Sequence, residues 1–408
     1  MATKPSPSVR SNGTTQVGSR SAVELLVDRD SDQQPVLSVV MPTLNEEEGI
    51  AECIERIKTA VEDLQLTTEI IISDSSTDRT PDIARELGAN VVEPDEKGYG
   101  YAYRYAFERT RGDFIVMGDA DTTYDFEQIP RLFETLQEED GDMVMGSRLD
   151  GAIKAGAMPP LHQYIGNPAL TAFLNLFYDA GVSDAHSGFR IFTREAYEEM
   201  DFQTTGMEFA SEMIMDAGAR DLDIVETPII YHEREGEETL DSFQDGWRHV
   251  RFMLLNAPGY LFSAPGVFLG TLGLAIIGIA TSGIDIAGIT LGTNSLIAGS
   301  LSAIVGYQIF TFGLLATIGS DPIRQPADPV TELLSRWVSL ERGAVLGVGV
   351  LTAGGLYAAT LIARWIGTGF SSIPVTSASL LSFTAIVLGI QTVFSAFFLS
   401  AIAGSRPC

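Results

Sequence analysis

Lysine and cysteine are nearly missing from this 408-residue chain. Only four of its 26 basic residues are lysine (Lys4, Lys58, Lys97 and Lys154), and Cys53 and Cys408 are the only cysteines. Two cysteines imply no disulfide framework. Acidic residues number 54, which leaves a net charge of −28. That excess argues against nucleic acid as a partner, because binding it requires cations to neutralise phosphates. Chemistry-bearing motifs are missing too. There is no Gly-Lys-Ser/Thr loop. Gly98-x-Gly100 is not a dinucleotide fingerprint, because Tyr103 stands where a third small residue belongs. No apolar h-region opens the chain, so no signal peptide is expected.

The charge is unevenly spread. From residue 259 onward there are five basic and five acidic residues, so 21 basic and 49 acidic residues lie in the first 258. A soluble region this acidic and lysine-poor suggests a high-salt cytoplasm, where screening makes self-repulsion cheap. Residues 1–34 are rich in Ser, Thr, Gln and Asn and read as a disordered tail.

Strands and helices then alternate. Strands are expected over 36–41, 69–72, 90–92, 113–117 and 143–145. Helices are expected over 46–61, 81–87, 101–110 and 126–136, the first with Ile50, Cys53, Ile54, Ile57 and Val61 at helical spacing. Such repetition predicts an α/β domain whose parallel sheet is covered by helices on both faces. Ligands gather on the loops after the strands of such sheets.

The loop after the fourth strand is the most telling. Phe114-Ile115-Val116-Met117 reads as a buried strand and runs into Gly118-Asp119-Ala120-Asp121. Residues i and i+2 of an extended chain face the same way, so Asp119 and Asp121 project together. Two adjacent carboxylates repel unless a cation sits between them, and oxygen donors suit Mg²⁺ or Mn²⁺. Such a cation clamps a diphosphate leaving group. A solvated Asp-rich turn is the plainer alternative. Asn45, after the first strand, suits either a helix N-cap or a ligand contact. Asp74 and Asp78, after the second, suit a base or ribose, or the capping of the next helix. Lys97 beside Gly98 puts a cation on a flexible loop, which suits a phosphate.

Val39-Val40-Met41-Pro42-Thr43-Leu44-Asn45-Glu46, Asp74…Thr77-Asp78, Lys97-Gly98, Gly118-Asp119-Ala120-Asp121, Gly146-Ser147-Arg148 and Ser187-Gly188-Phe189-Arg190 occur in one order. Together they resemble the family 2 glycosyltransferases of GT-A fold (nucleotide-diphospho-sugar transferase, Rossmann-like), in the polyprenyl- or dolichol-phosphate sugar synthase branch. The resemblance covers about residues 36–240. It implies a nucleotide-sugar site of Pro42, Leu44, Asn45, Glu46, Asp74, Asp78, Lys97, Gly98, Asp119 and Ala120, with Asp119 and Asp121 as metal ligands. Many relatives carry a Gln two residues past the second Asp; Thr123 stands there in this chain. Ser147, Arg148 and His162 are implied at the acceptor phosphate, His162 having packing at a helix start as its alternative. Arg190 is implied as phosphate support, and Arg234 as the cation of a loop closing over the pyrophosphate. His186 has no assigned role. The implied donor is a UDP- or GDP-sugar, the acceptor polyprenyl or dolichyl phosphate, the cofactor Mg²⁺ or Mn²⁺, and the outcome inversion. The acidic composition fits a haloarchaeon, where such a product supplies surface-protein glycosylation.

Four uncharged apolar spans follow, over 261–281, 296–318, 343–363 and 380–402. Each is long enough to cross about 30 Å of hydrocarbon. Arg324, Arg336 and Arg342 lie between the second and third, which places that loop, both termini and the catalytic domain in the cytoplasm. Residues 241–256 mix Phe243, Trp247, Val250, Phe252, Met253 and Leu254 with Arg248 and Arg251 and read as an interfacial helix. Residues 330–340 suit a second one. The expected domains are a tail (1–34), a GT-A catalytic domain (35–238), an interfacial helix (239–258) and a four-helix transmembrane domain (259–408). Two other functions fit parts of the pattern. One is a processive polysaccharide synthase, which Arg336-Trp337 faintly suggests. The other is a catalytically silent nucleotide-sugar-binding membrane protein, against which the intact Asp119/Asp121 pair argues.

Overall fold

The computed structural model describes residues 20–178, 180–234, 242–286, 289–319, 340–371 and 376–403. Expected features on residues 1–19, 235–241 and 320–339 lie outside it. These are most of the tail, the loop beyond Arg234, and the second interfacial helix with Arg324 and Arg336.

A seven-stranded sheet forms the core of the α/β domain, in the order β3-β2-β1-β4-β6-β5-β7. Its first half is the expected α/β alternation: β1 (Leu37–Thr43), α2 (Ile50–Leu64), β2 (Thr68–Asp74), α3 (Thr80–Glu86), β3 (Asn90–Val92), α4 (Tyr99–Phe107) and β4 (Phe114–Met117). These strands pair in parallel, and every residue of β2 and β4 is buried, so apolar runs fill positions on both faces. After α5 (Ile129–Glu138) come β5 (Met143–Ile153), α6 (Asn167–Tyr178), β6 (Arg190–Thr193), α7 (Arg194–Glu199), α8 (Phe209–Ala219) and β7 (Ile224–Tyr231).

Three expectations need correction. The sheet is mixed rather than parallel, because β6 inserts antiparallel between β4 and β5. Its four residues, Arg-Ile-Phe-Thr, are too short a run to stand out in the sequence. The first helix begins at Ile50 rather than Glu46, because Glu46–Glu48 are held in the loop below. The tail does not reach residue 34. Ala22–Leu25 form a short helix α1, Leu25 and Val27 are buried, and Val27 N–H donates to the Thr68 carbonyl at 2.8 Å.

Two apolar clusters sandwich the sheet. On one face Ile50, Ile54, Ile57 and Leu132, from α2 and α5, pack on Val39, Val116 and Ile191. On the other, Tyr103, Phe107, Phe209 and Met213, from α4 and α8, pack on Val40, Ile115 and Phe192. The carboxyl ends of β1, β2 and β4 therefore open on one rim, between helices that cannot shift without opening a core.

Beyond β7, α9 (Ser242–Asn256) leads to a π-turn at Gly259–Ser263 and then to α10 (Ala264–Ser282), α11 (Thr293–Gly319), α12 (Leu340–Gly367) and α13 (Thr376–Ala403). Among the described residues, four apolar stretches are long enough to span a membrane: Gly259–Ser282, Thr293–Thr317, Glu341–Gly367 and Thr376–Ile402. They pack as two hairpins, α10 on α11 and α12 on α13, joined through α11 and α13. At Gly306 a Cβ would stand 2.2 Å from the backbone N of Gly270, so only glycine permits that approach of α10 and α11.

Candidate active site

The loop after β4 presents the two aspartates as expected and adds a support that the sequence did not reveal. Asp119 Oδ1 accepts hydrogen bonds from Tyr99 Oη at 2.8 Å and Tyr103 Oη at 3.3 Å. Both tyrosines sit on one face of α4, four residues apart, with their rings edge-to-face. Asp121 Oδ1 accepts from the Thr123 hydroxyl at 2.5 Å and its N–H at 3.2 Å. Thr123 thus orients Asp121 in the position where relatives carry Gln. Thr122 between them takes φ 64, a left-handed conformation costly for a β-branched residue. In each aspartate one oxygen is committed to the protein, and Oδ2 is left. Asp119 Oδ2 faces Gly188, where a Cβ would stand 3.1 Å away.

Glu46 joins this pair. Its carboxylate binds Arg234 Nη2 at 3.0 Å, and Arg234 Nη1 stands 3.7 Å from Asp121 Oδ2. Burial, and then the charges of Asp121 and Asp119, push Glu46 up to about 7 against the pull of Arg234. Burial and the Asp121 charge push Asp119 up to about 6 against the tyrosine hydroxyls. Three carboxylates thus share one guanidinium. Among the described residues, buried Arg234 Nε and His232 Nε2 find no hydrogen-bond partner, and neither does Ser187 Oγ in the loop before β6.

The remaining candidates divide into rim and support. Leu44 is 62 % exposed on the loop after β1, and Lys97 is exposed ahead of α4. Pro42, the penultimate residue of β1, lies in register with Ser73, and Ala120 is buried behind the aspartates. Gly98 takes φ 141, and a Cβ there would meet the Thr205 carbonyl at 2.2 Å. Glycine is obligatory at the start of α4 and hence for the placing of Tyr99. Asn45 is not an N-cap. Its Oδ1 accepts from the Thr77 N–H at 2.8 Å and ties the loops after β1 and β2 together. Asp74 is buried and accepts from the Thr43 hydroxyl at 2.8 Å. Asp78 caps the turn into α3, accepting from the Thr80 N–H and hydroxyl.

Two arginines lie deeper than the sequence suggested. Arg148 is 7 % exposed and grips Asp184 with Nε and Nη2, each at 2.8 Å, while its N–H donates to the same carboxylate at 2.9 Å. Asp184 is pulled below the usual carboxylate range by Arg148 in spite of burial, which alone would raise it. Arg190 does not reach the surface. It is fully buried, donates to the carbonyls of Ser187, Ala185 and Ala210, and is lowered to about 10 by burial. It braces the loop that holds Gly188 instead of supporting phosphate. Ser147 is buried beside Ser183 at 2.7 Å. Glu226 accepts from the N–H groups of Ser183 and Asp184 at 2.6 and 3.1 Å. Tyr124 Oη accepts from the Gly188 N–H at 2.7 Å. His162 lies half-buried in the π-turn His162–Gly166, and among the described residues no hydrogen bond ties its ring to the carboxylates. His186 is linked through Ser211 Oγ, 3.4 Å away, to His249 Nδ1 on α9, 3.0 Å from the same oxygen.

A mixed sheet of GT-A type with paired aspartates after β4 is the architecture of a glycosyltransferase. The chain belongs to the family 2 glycosyltransferases: Glycosyl transferase family 2 matches residues 38–201, and Glycosyltransferase family 2 C-terminal transmembrane region matches residues 317–403. The chain is similar to the low-salt glycan biosynthesis hexosyltransferase Agl6 of Haloferax volcanii, with 56 % identity over 94 % of this chain and 92 % of that protein. The dolichyl-phosphate hexose transferase of the same organism is 34 % identical over 52 % of this chain and 89 % of its own length. Among solved structures, a glucosyl-3-phosphoglycerate synthase from Mycobacterium tuberculosis in complex with Mn²⁺ and UDP-glucose aligns at 26 % identity over 54 % of this chain and 78 % of that chain, with a TM-score of 0.44.

Two predictions follow from this geometry. Asp184→Ala strands Arg148 as a buried unpaired charge and should cost about 3–5 kcal/mol of stability, read as a lowered thermal midpoint in detergent. Glu46 binds its proton more tightly folded than unfolded. Its ionisation therefore destabilises the metal-free protein as pH rises from the ordinary 4.5 towards about 7. Relative to Glu46→Gln, the wild type should lose stability across that window, and a parallel pair of melting curves would contradict the assignment.

Proposed function

We propose that this protein transfers a hexosyl group from a UDP- or GDP-sugar to dolichyl (polyprenyl) phosphate, with inversion at the anomeric carbon. The carrying observation is its 56 % identity, along nearly the whole chain, to a hexosyltransferase. The similarity to a dolichyl-phosphate hexose transferase supports the acceptor.

The site fits a divalent cation, Mg²⁺ or Mn²⁺. Asp119 and Asp121 each keep one oxygen uncommitted to hydrogen bonds, and their mutual repulsion is what an ion relieves. Among the described residues no group of three or more His, Cys, Asp or Glu encloses an ion. That suits a hard cation which keeps waters and takes substrate phosphates as ligands. When bound, it supplies Lewis-acid stabilisation of the departing diphosphate.

The protein's own groups do the rest. Pro42, Leu44, Asn45, Asp74 and Asp78 form the nucleotide side, with Asp74 the carboxylate for the base. Lys97 and Arg234 bring positive charge to the diphosphate, and Arg234 exchanges its carboxylate partners for it. Ser147, Arg148 and His162 form the acceptor side, where Arg148 acts from beneath through its field and the loop it holds. An oxygen of the acceptor phosphate forms the new bond to the anomeric carbon. The bond to the nucleoside diphosphate breaks on the opposite face, and its electron pair leaves with the diphosphate. A phosphate has its second pKa near ~6 and attacks already ionised, so no strong base is required. We place the catalytic domain (35–238), the interfacial helix (239–258) and both termini on the cytoplasmic side of the four-helix domain (259–408). Arg342 at the start of α12 supports that orientation.

The test is product analysis with the full chain in detergent and high salt, with Mg²⁺ or Mn²⁺, polyprenyl phosphate and a panel of UDP- and GDP-sugars. Mass spectrometry should show a sugar–phosphate–lipid from one donor. Asp121→Asn should reduce it by roughly 100-fold or more, the scale of losing one charge-stabilising group. Donor hydrolysis without glycolipid, or a covalent sugar–enzyme intermediate, would overturn the reading.

A further inference from the structure

The 24 residues between Lys154 and Asp179 contain no charge at all, although 70 of the first 258 residues are charged. No other stretch of that acidic region is so long without one. Its helical part is α6 with the preceding π-turn. One face is buried core: Thr171, Leu174, Phe177 and Tyr178, packed towards α8 and α9. The opposite face is equally apolar and open. Leu161 is 62 % exposed, Tyr164 72 %, Ile165 62 % and Leu176 67 %, with Ala169 and Ala172 exposed between them. Positions 161, 165, 169, 172 and 176 follow helical spacing, so they form one stripe. Elsewhere this domain covers its surface with carboxylates. An uncharged helix, apolar on both faces, is out of place in water.

Its position in the fold says what covers it. The Phe177 ring meets the Tyr260 ring at 4.5 Å, edge-to-face. Tyr260 lies in the π-turn at Gly259–Ser263, at the head of the first apolar span. The inner face of α6 is therefore pinned where the chain enters the membrane. On α9 beside it, Trp247 and Leu255 are 59 % and 57 % exposed.

We infer that the stripe Leu161–Ile165–Leu176 is a docking surface for the lipid bilayer, with α6 lying at the boundary between headgroups and acyl chains. Helices of this kind bury an apolar face about 5–10 Å deep. Two helices, α6 and α9, then hold the catalytic domain against the membrane, and a rigid platform replaces a single tether.

Spin labelling of the full chain in phospholipid nanodiscs tests this. Cys408→Ser removes one thiol, and Cys53 is buried. Nitroxides are placed at Ile165→Cys, Leu176→Cys and, as a water-facing control, Glu55→Cys, whose side chain is 58 % exposed. At 165 and 176 the ratio of collisions with dissolved oxygen to collisions with a water-soluble nickel chelate should be several-fold higher than at 55. Ratios equal to the control would place the stripe in water and overturn the inference. So would protection from both reagents in a dimeric preparation, which would assign the stripe to a second copy. All three positions are exposed, so the labels are tolerated, and melting curves check this. The readout is position and not transfer, so it stands or falls separately from the acceptor proposed above.

Discussion

Repulsion between carboxylates at the end of β4 is the constraint around which this active site is built. Two unit charges about 4 Å apart at an effective dielectric near 20 repel by roughly 4 kcal/mol. Asp119, Asp121 and Glu46 meet there in a domain already strongly acidic, and one guanidinium, Arg234, is shared among them. The protein holds this arrangement by committing one oxygen of each aspartate. Tyr99 and Tyr103 fix Asp119, Thr123 fixes Asp121, and Thr122, between Asp121 and Thr123, absorbs a left-handed turn. The held carboxylates concentrate negative charge that Arg234 only partly offsets.

A second layer keeps that site in place. Arg148 and Arg190, the two buried arginines among the described residues, spend their donors on Asp184 and on three backbone carbonyls. Glu226 anchors the same loop from β7, and Tyr124 ties it to the aspartate loop through Gly188. Buried charges are tolerable only when so completely paired. The layer positions Gly188 against Asp119, where a Cβ would stand 3.1 Å from Oδ2.

The first half of the fold and the aspartate pair were legible in the sequence because they rest on local patterns. Apolar runs marked the buried strands, helical spacing marked α2, and i, i+2 spacing marked the paired carboxylates. What escaped depends on long-range contacts. The antiparallel β6 is four residues with no signature of its own. Arg190 looked like a surface cation, because burial on carbonyls contributed by Ala185, Ser187 and Ala210 leaves no mark in a motif. Asn45 stayed open between a cap and a ligand contact because its partner in the fold, Thr77, lies 32 residues away. Tyr99 and Tyr103 stand at i, i+4 after Gly98, but the spacing alone does not say that both hydroxyls reach Asp119. The uncharged stretch 155–178 was also visible, but its outward stripe emerges only once the buried face of α6 is known.

The most direct test of the account is Mn²⁺ binding to the full chain, followed by electron paramagnetic resonance, without any acceptor. The wild type should bind Mn²⁺ and bind it more tightly with a nucleoside diphosphate present, and Asp121→Asn should lose both behaviours while keeping its melting temperature. Unchanged Mn²⁺ binding in that variant would contradict the claim that the aspartate pair after β4 is the cation site on which the rest depends.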